Sequence, residues 1–338
     1  MRSFYRLSLS TLIAVYILVL VGGIVRSTGS GMGCPDWPTC FGAWVPPTSV
    51  AQLPDNYKEI YAAHREKKNV KFANYLSALG FSKTAEAILQ DKSILEEADF
   101  NPVKTWVEYI NRLVGVVIGL LIFAVFIYAL RFWKEKKSMT IFSFLSFFLV
   151  GFQGWLGSFV VSTNLTPWTI TIHMFLALVI VALLIVLVDS STTKAVNKIQ
   201  APGVMVWLLA CVAVVLIQIL LGTQVREAID SVASKLPRES WIENLGTVFI
   251  IHRSFSWVVF VLHVGLVLKL RKTDGLKAFQ LPLILLILGT LLSGVGMAYG
   301  GIPPFLQPLH LWLASLTFGF QFLLFLRLNR RTETVLTT

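Results

Sequence analysis

Chemistry-bearing residues occupy matched positions in the two halves of this chain. Asn111-Arg112 and His252-Arg253 each place a polar, ligand-type residue directly before an arginine. His173 and His310 each stand 16 residues after a glycine, Gly157 or Gly294, and six after a proline, Pro167 or Pro304. Upstream, Gly22-Gly23-Ile24-Val25-Arg26 and Gly222-Thr223-Gln224-Val225-Arg226 share the pattern G-x-x-V-R, which reads as the end of a helix in each half. Two neutral imidazoles on facing helices can ligate haem iron, because each offers one nitrogen along the axis perpendicular to the macrocycle. His252 and His310 form such a pair. Zinc fits less well, since it wants three or four clustered ligands and each half offers at most two. A single membrane histidine can simply hydrogen-bond to a neighbouring helix; His173, His252 and His310 at one depth point instead to ligands.

Glu108 lies three residues before Asn111 and four before Arg112, so it shares a helix face with the first and can pair with the second. The corresponding position before His252 is Phe249. That asymmetry suggests that one half does chemistry while the other holds a permanent cofactor. Glu108 has two readings, a catalytic carboxylate or an interfacial salt bridge with Arg112. Arg112 and Arg253 are candidates to bind haem propionates, or else anchors at the ends of spans. Cys34-Pro-Asp-Trp-Pro-Thr-Cys40 places two cysteines beside the first-half site, as a structural disulfide or a redox-active pair. His263 reads as buried and hydrogen-bonded near the level of Gln321, His64 as solvated, and Cys211 as a buried apolar residue. The glycines Gly115, Gly119, Gly151, Gly154, Gly157, Gly289 and Gly296, with Ser293, leave room for close helix packing or for a flat macrocycle, and packing is expected for most.

The elements that must position these residues follow from composition. Of 338 residues 55% are apolar and only 14% charged, against roughly 45–50% and about 25% in a soluble domain. Apolar runs near 7–26, 106–131, 139–161, 168–188, 204–223, 246–268, 281–299 and 308–326 are each long enough to span a bilayer. The expected fold is therefore an all-α membrane protein with eight transmembrane helices. The net charge of +11 sorts onto one side: fifteen Lys and Arg residues, including Arg2, Arg6, Lys194, Lys198, Arg330 and Arg331, face only Glu135, Asp189, Asp274 and Glu333. The bias sets orientation rather than nucleic-acid binding, and places both termini in the cytoplasm of a bacterial plasma membrane. Leu7 to Val25 reads as a retained helix.

The repeats imply two tandem four-helix bundles, 1–190 and 191–338. An even number of spans per repeat relates them by a pseudo-two-fold axis along the membrane normal. The first half carries an insertion at 46–105, in which Tyr57 to Ala73 and Ser82 to Glu97 look like short amphipathic helices forming a cap.

Together these residues resemble the haem A synthase family of membrane oxygenases. The resemblance rests on Gly22 to Cys40, on Glu-Tyr-Ile-Asn-Arg-Leu at 108–113, and on His173, His252-Arg253 and His310. It implies oxidation of the C8 methyl of haem O, by successive hydroxylations to a gem-diol that loses water, giving haem A for cytochrome oxidase. It further implies a substrate haem on His173 with Glu108 as catalytic carboxylate, and a haem b on His252 and His310 that relays electrons. Haem O synthase and cytochrome oxidase assembly are the implied partners, the electron donor is undefined, and a homo-oligomer is possible. Asn111 departs from the family, much of which has histidine there. One axial histidine is then expected, with the opposite face open and Asn111 beside it. A non-catalytic dihaem electron carrier or haem-handling assembly protein is the alternative.

Overall fold

A computed structural model describes residues 1–163, 167–192 and 201–329. Lys194, Lys198, Arg330, Arg331 and Glu333 of the charge tally lie outside the described residues, as does the side chain of Pro167. The described residues are helical apart from loops and one isolated bridge, Cys40 to Ala43. The α-helices are α1 (Arg2–Ser27), α2 (Tyr57–Ala78), α3 (Ser82–Gln90), α4 (Pro102–Ala129), α5 (Lys137–Ser162), α6 (Pro167–Ser190), α7 (Pro202–Ala233), α8 (Gly246–Arg271), α9 (Gln280–Tyr299) and α10 (Leu306–Asn329). All except α2 and α3 are long and apolar enough to cross a membrane, which makes this an eight-span protein.

Local chemistry sets several ends. Asn101 caps α4 by accepting from the Lys104 backbone N–H at 3.1 Å, and Pro102 occupies the first turn, where no amide donor is needed. The early start at Pro102 puts Asn111 in the third turn of α4. The helix carrying G-x-x-V-R in the second half does not end at Arg226; α7 continues to Ala233. Val225 and Ile229 continue its apolar stripe against Leu245 and Ile302, and Arg226 pairs with Asp230 one turn on, so the periodicity extends the helix.

The long helices pack in two rings. α1, α4, α5 and α6 pack in sequence with α6 returning to α1, and α7, α8, α9 and α10 do the same with α10 returning to α7. The rings meet where α10 packs on α1 and α6, and where α6 meets α7. Each ring has its own buried cluster, Phe4, Ile122, Val125 and Leu184 in the first, Leu208, Leu266, Leu283 and Leu324 in the second. Burial alone does not associate helices in lipid, so close approach matters. Trp207 lies over Gly265, where a Cβ would come within 2.5 Å of the indole, and Pro308 fills the space beside Gly23. Gly289 and Gly296 likewise receive Leu313 and Leu306. In the first half, however, Gly115, Gly119, Gly151 and Gly154 have no atom within 4 Å of an added Cβ, so packing does not explain them.

The insertion forms a helical cap on the ends of α5 and α6. α2 runs five residues beyond the expected Ala73, whereas α3 stops at Gln90 and the chain turns back so that Glu97 reaches α2. Phe72 stacks on Phe159 at 4.2 Å and on Trp168 at 6.0 Å between ring centres. Arg65, fully buried, pairs with Glu97 at 2.7 Å and donates to the Ile94 carbonyl at 2.8 Å. Burial draws the Arg65 pKa down and pushes that of Glu97 up, each countered in part by its partner. Removing one member of a buried pair typically costs about 3–5 kcal/mol. Glu97→Gln is therefore expected to loosen the cap, read as faster proteolysis within 46–105; an unchanged cleavage rate would contradict a structural role for the pair.

Candidate functional site

The ring order places α8 diagonally across from α10, and α4 across from α6, with the chemistry-bearing residues near the end that carries the cap. In the second ring the imidazoles of His252 and His310 face each other, with ring centres 6.3 Å apart and planes at 72°. Two imidazoles on one iron, each nitrogen about 2 Å from the metal and each ring centre about 1.1 Å further out, place their centres about 6.2 Å apart. The pair therefore fits an axially ligated haem. His310 Nδ1 lies 3.0 Å from the Thr290 carbonyl and 2.9 Å from Ser293 Oγ. Donation to that carbonyl puts the proton on Nδ1 and leaves Nε2 with its lone pair for a metal. His252 is held through its backbone, whose carbonyl accepts from Gln218 Nε2 at 3.0 Å, while its Nδ1 is buried without a hydrogen-bond partner.

Glycines flank both rings. A Cβ at Gly222 would meet His252 Cε1 at 3.4 Å, and one at Gly294 would meet His310 Cε1 at 3.2 Å. Gly294→Val is expected to displace the His310 ring and lower haem content in the purified protein at least tenfold. Haem bound at the normal level would show that this approach is not required.

The first ring repeats the plan with changes. Gln153 Nε2 donates to the His173 carbonyl at 2.8 Å, and Gly157 lies beside the imidazole, its added Cβ 3.9 Å from Cε1. His173 Nδ1 and Asn111 Oδ1 are both buried without a hydrogen-bond partner, which marks places where a water or ligand belongs. Nothing in the sequence singled out Gln153 or Gln218, because a glutamine in an apolar helix gives no sign of which carbonyl it will reach.

Glu108 is buried, takes the backbone N–H of Cys34 at 2.8 Å on one oxygen and pairs with Arg112 through the other. The expected pairing is present. Arg112, which the sequence offers as a propionate partner or as an anchor, holds the cysteine loop: it donates to the carbonyls of Asp36 at 2.6 Å, Thr39 at 3.0 Å and Cys34 at 3.2 Å. A guanidinium has five donors in a fixed fork, and this one staples residues 34–39 to α4. Cys34 and Cys40 form a disulfide within that loop. Asp36 adds a second tie, accepting from Thr39 Oγ1 and from the amides of Phe41 at 2.6 Å and Gly42 at 3.0 Å. Arg253 is exposed and stands over the Phe249 ring at 5.7 Å.

Between the loop, α2 and the end of α5 lies a cavity of about 330 Å³ whose walls include Asp36, Tyr61 and Lys68. Burial pushes the Tyr61 hydroxyl up to about 12, with Asp36 adding to the effect, and draws Lys68 down, with Asp36 opposing. His263 is buried as expected, its Nδ1 2.6 Å from the Val259 carbonyl and its Nε2 2.5 Å from Gln321 Nε2. Cys211 is buried too.

The profile of the COX15-CtaA family, described as cytochrome oxidase assembly protein, matches residues 5–78 and 81–322. Among curated relatives, the Heme A synthase of Shewanella oneidensis is 25% identical over 243 residues, covering 70% of this chain and 61% of that protein. The Heme A synthase of Azorhizobium caulinodans is 25% identical over 299 residues, covering 80% and 78%. That of Nitrosospira multiformis is 30% identical over 174 residues, covering 50% and 42%. The matched part thus spans less than two thirds of the Shewanella and Nitrosospira proteins and more than three quarters of the Azorhizobium one.

Proposed function

This chain belongs to the COX15-CtaA family of cytochrome oxidase assembly proteins, and from that premise we propose that it is a haem A synthase. It would oxidise the C8 methyl of haem O to a formyl group, making haem A for cytochrome oxidase. The observation that carries this reading is the opposed His252 and His310 pair at the spacing of a shared iron, beside a first half that lacks the second histidine and adds a buried carboxylate. Relatives named Heme A synthase, from several bacteria, support it.

In this reading the halves 1–190 and 191–338 are related by a pseudo-two-fold axis along the membrane normal. The chain lies in a bacterial plasma membrane with both termini cytoplasmic, so the cap and the cysteine loop face outward. His252 and His310 hold haem b, which supplies one-electron redox chemistry when bound. His173 holds the iron of the substrate haem O from one face. Asn111, its Oδ1 otherwise unpartnered, would hydrogen-bond to a water or dioxygen held in that site. The open spaces beside Gly115 and Gly119 on α4 leave room for the macrocycle.

Glu108 acts as the local base. Each hydroxylation would consume one dioxygen, two electrons from a donor and two protons and release one water; Glu108 would then take the proton from one hydroxyl of the gem-diol and return it to the other, which leaves as water to give the aldehyde, a contribution of the order of 10²–10⁴ in rate for general acid–base catalysis. Arg112 and the Cys34 amide hold the carboxylate in place while it does so. Haem O synthase would supply the substrate, the product would go to cytochrome oxidase assembly, and nucleic acid has no part. The test is pigment analysis in a host that makes haem O but no haem A: haem A or its hydroxylated precursor is expected, and the absence of both would contradict the reading.

A further inference from the structure

Four residues meet where the two rings join, at the end that carries the cap. Arg226 Nη2 pairs with Asp230 Oδ1 at 2.6 Å, and Arg26 Nη2 pairs with Asp230 Oδ2 at 2.7 Å. Arg226 also donates to Gln307 Oε1 and to the Arg26 carbonyl, the latter at 3.4 Å. Two guanidinium groups thus share one carboxylate, which leaves a positive charge in excess. The Nε of each arginine is buried and has no hydrogen-bond partner.

The position of Arg226 relative to the histidines follows from helix spacing. It stands one turn beyond Gly222, whose added Cβ would touch His252, and it binds Gln307, one turn before His310. It therefore sits directly above the His252 and His310 pair on the side of the cap. Arg26 occupies the same place in the duplicated G-x-x-V-R of the first half. A haem standing between axial histidines in a membrane turns its two carboxylates toward the water, and a guanidinium there is their natural partner. Arg112, the alternative on α4, already commits both its Nη groups to Glu108 and the cysteine loop, and Arg253 is exposed over Phe249.

We propose that Arg226, braced by Gln307 and Asp230, binds a propionate of the haem held by His252 and His310, and that Arg26, on the same Asp230, does so for the first-half haem. The proposal rests on the haem reading above. It gives the two sites a shared electrostatic joint, so that charge arriving at one is felt at the other.

The experiment compares the full-length protein with Arg226→Gln, Arg226→Lys and Arg238→Gln. The last removes a positive charge that stacks on Trp241 in the loop beyond α7. The readouts are haem per chain, the reduction midpoint of the bound haem and its rate of transfer to apomyoglobin. Arg226→Gln is expected to transfer haem at least tenfold faster and to have a lower midpoint, since a cation near the iron favours the reduced form. Arg238→Gln should match the unsubstituted protein in both. Should Arg226→Gln purify poorly, Arg226→Lys decides the point, because it keeps the charge but not the fork, and faster transfer with haem initially bound supports the proposal. Arg226 variants with unaltered transfer and midpoint would overturn the propionate role and leave the haem reading standing. An unsubstituted protein that binds no haem would overturn both.

Discussion

Replacing His310 with alanine is expected to remove the axially ligated haem of the second half and to lower haem A production by at least 100-fold. The His310 ring is fixed by Thr290 and Ser293 at Nδ1, which leaves Nε2 free of those contacts, and its centre stands 6.3 Å from that of His252. Its loss leaves one imidazole for an iron that needs two to stay low-spin, and leaves Ser293 and the Thr290 carbonyl facing an empty volume. The low-spin spectrum of the purified protein should vanish. Added imidazole should restore part of it, because the deleted ring leaves a space of its own shape. His252→Ala should behave alike. A His310→Ala protein with a normal low-spin spectrum would show that the two rings do not share an iron.

The second large effect is expected at Glu108. Glu108→Gln keeps an oxygen able to accept from the Cys34 amide but can no longer hold a proton taken from substrate. A loss of roughly 10²–10⁴ in rate follows if the carboxylate is the base. Haem b content and the low-spin spectrum should be unchanged, because both histidines of that site lie in the other ring. Glu108→Ala should lose as much activity and also loosen the Cys34–Cys40 loop, since the Cys34 amide then loses its acceptor and Arg112 the carboxylate that orients it. Turnover of Glu108→Gln near that of the unsubstituted protein, with Glu108→Ala inactive, would reduce Glu108 to an anchor for the loop.

Much of this architecture is readable from residue order, because lipid imposes long apolar runs and duplication repeats the marks within them. The eight spans follow from the apolar runs, the pairing of His252 with His310 from the duplicated positions, and that of Glu108 with Arg112 from spacing along a helix. Contacts between distant segments do not. Arg26 and Asp230 are separated by 204 residues, and no local pattern links them. Arg112 shows the same limit in reverse. An arginine beside a ligand position suggests a propionate, yet its acceptors here are three carbonyls of a loop more than 70 residues earlier. The extension of α7 past Arg226 was hidden because charged residues there resemble the end of a span. In fact Arg226 and Asp230 satisfy each other one turn apart, and Val225 and Ile229 keep the apolar face. By type alone these glycines read either as packing residues or as room for a macrocycle, with packing expected for most; only the surroundings distinguish Gly115, Gly119, Gly151 and Gly154 from Gly289 and Gly296.

The central claim is that the first half oxidises a haem while the second half serves it. Its most direct test is to express the full chain in a bacterium that makes haem O but no haem A, and to extract and separate the pigments. The account predicts haem A, or its hydroxylated precursor, with none formed by the Glu108→Gln variant. A membrane-inserted protein carrying normal low-spin haem b, in cells rich in haem O and supplied with reductant, that yields neither pigment would contradict it and mark the chain as an electron carrier.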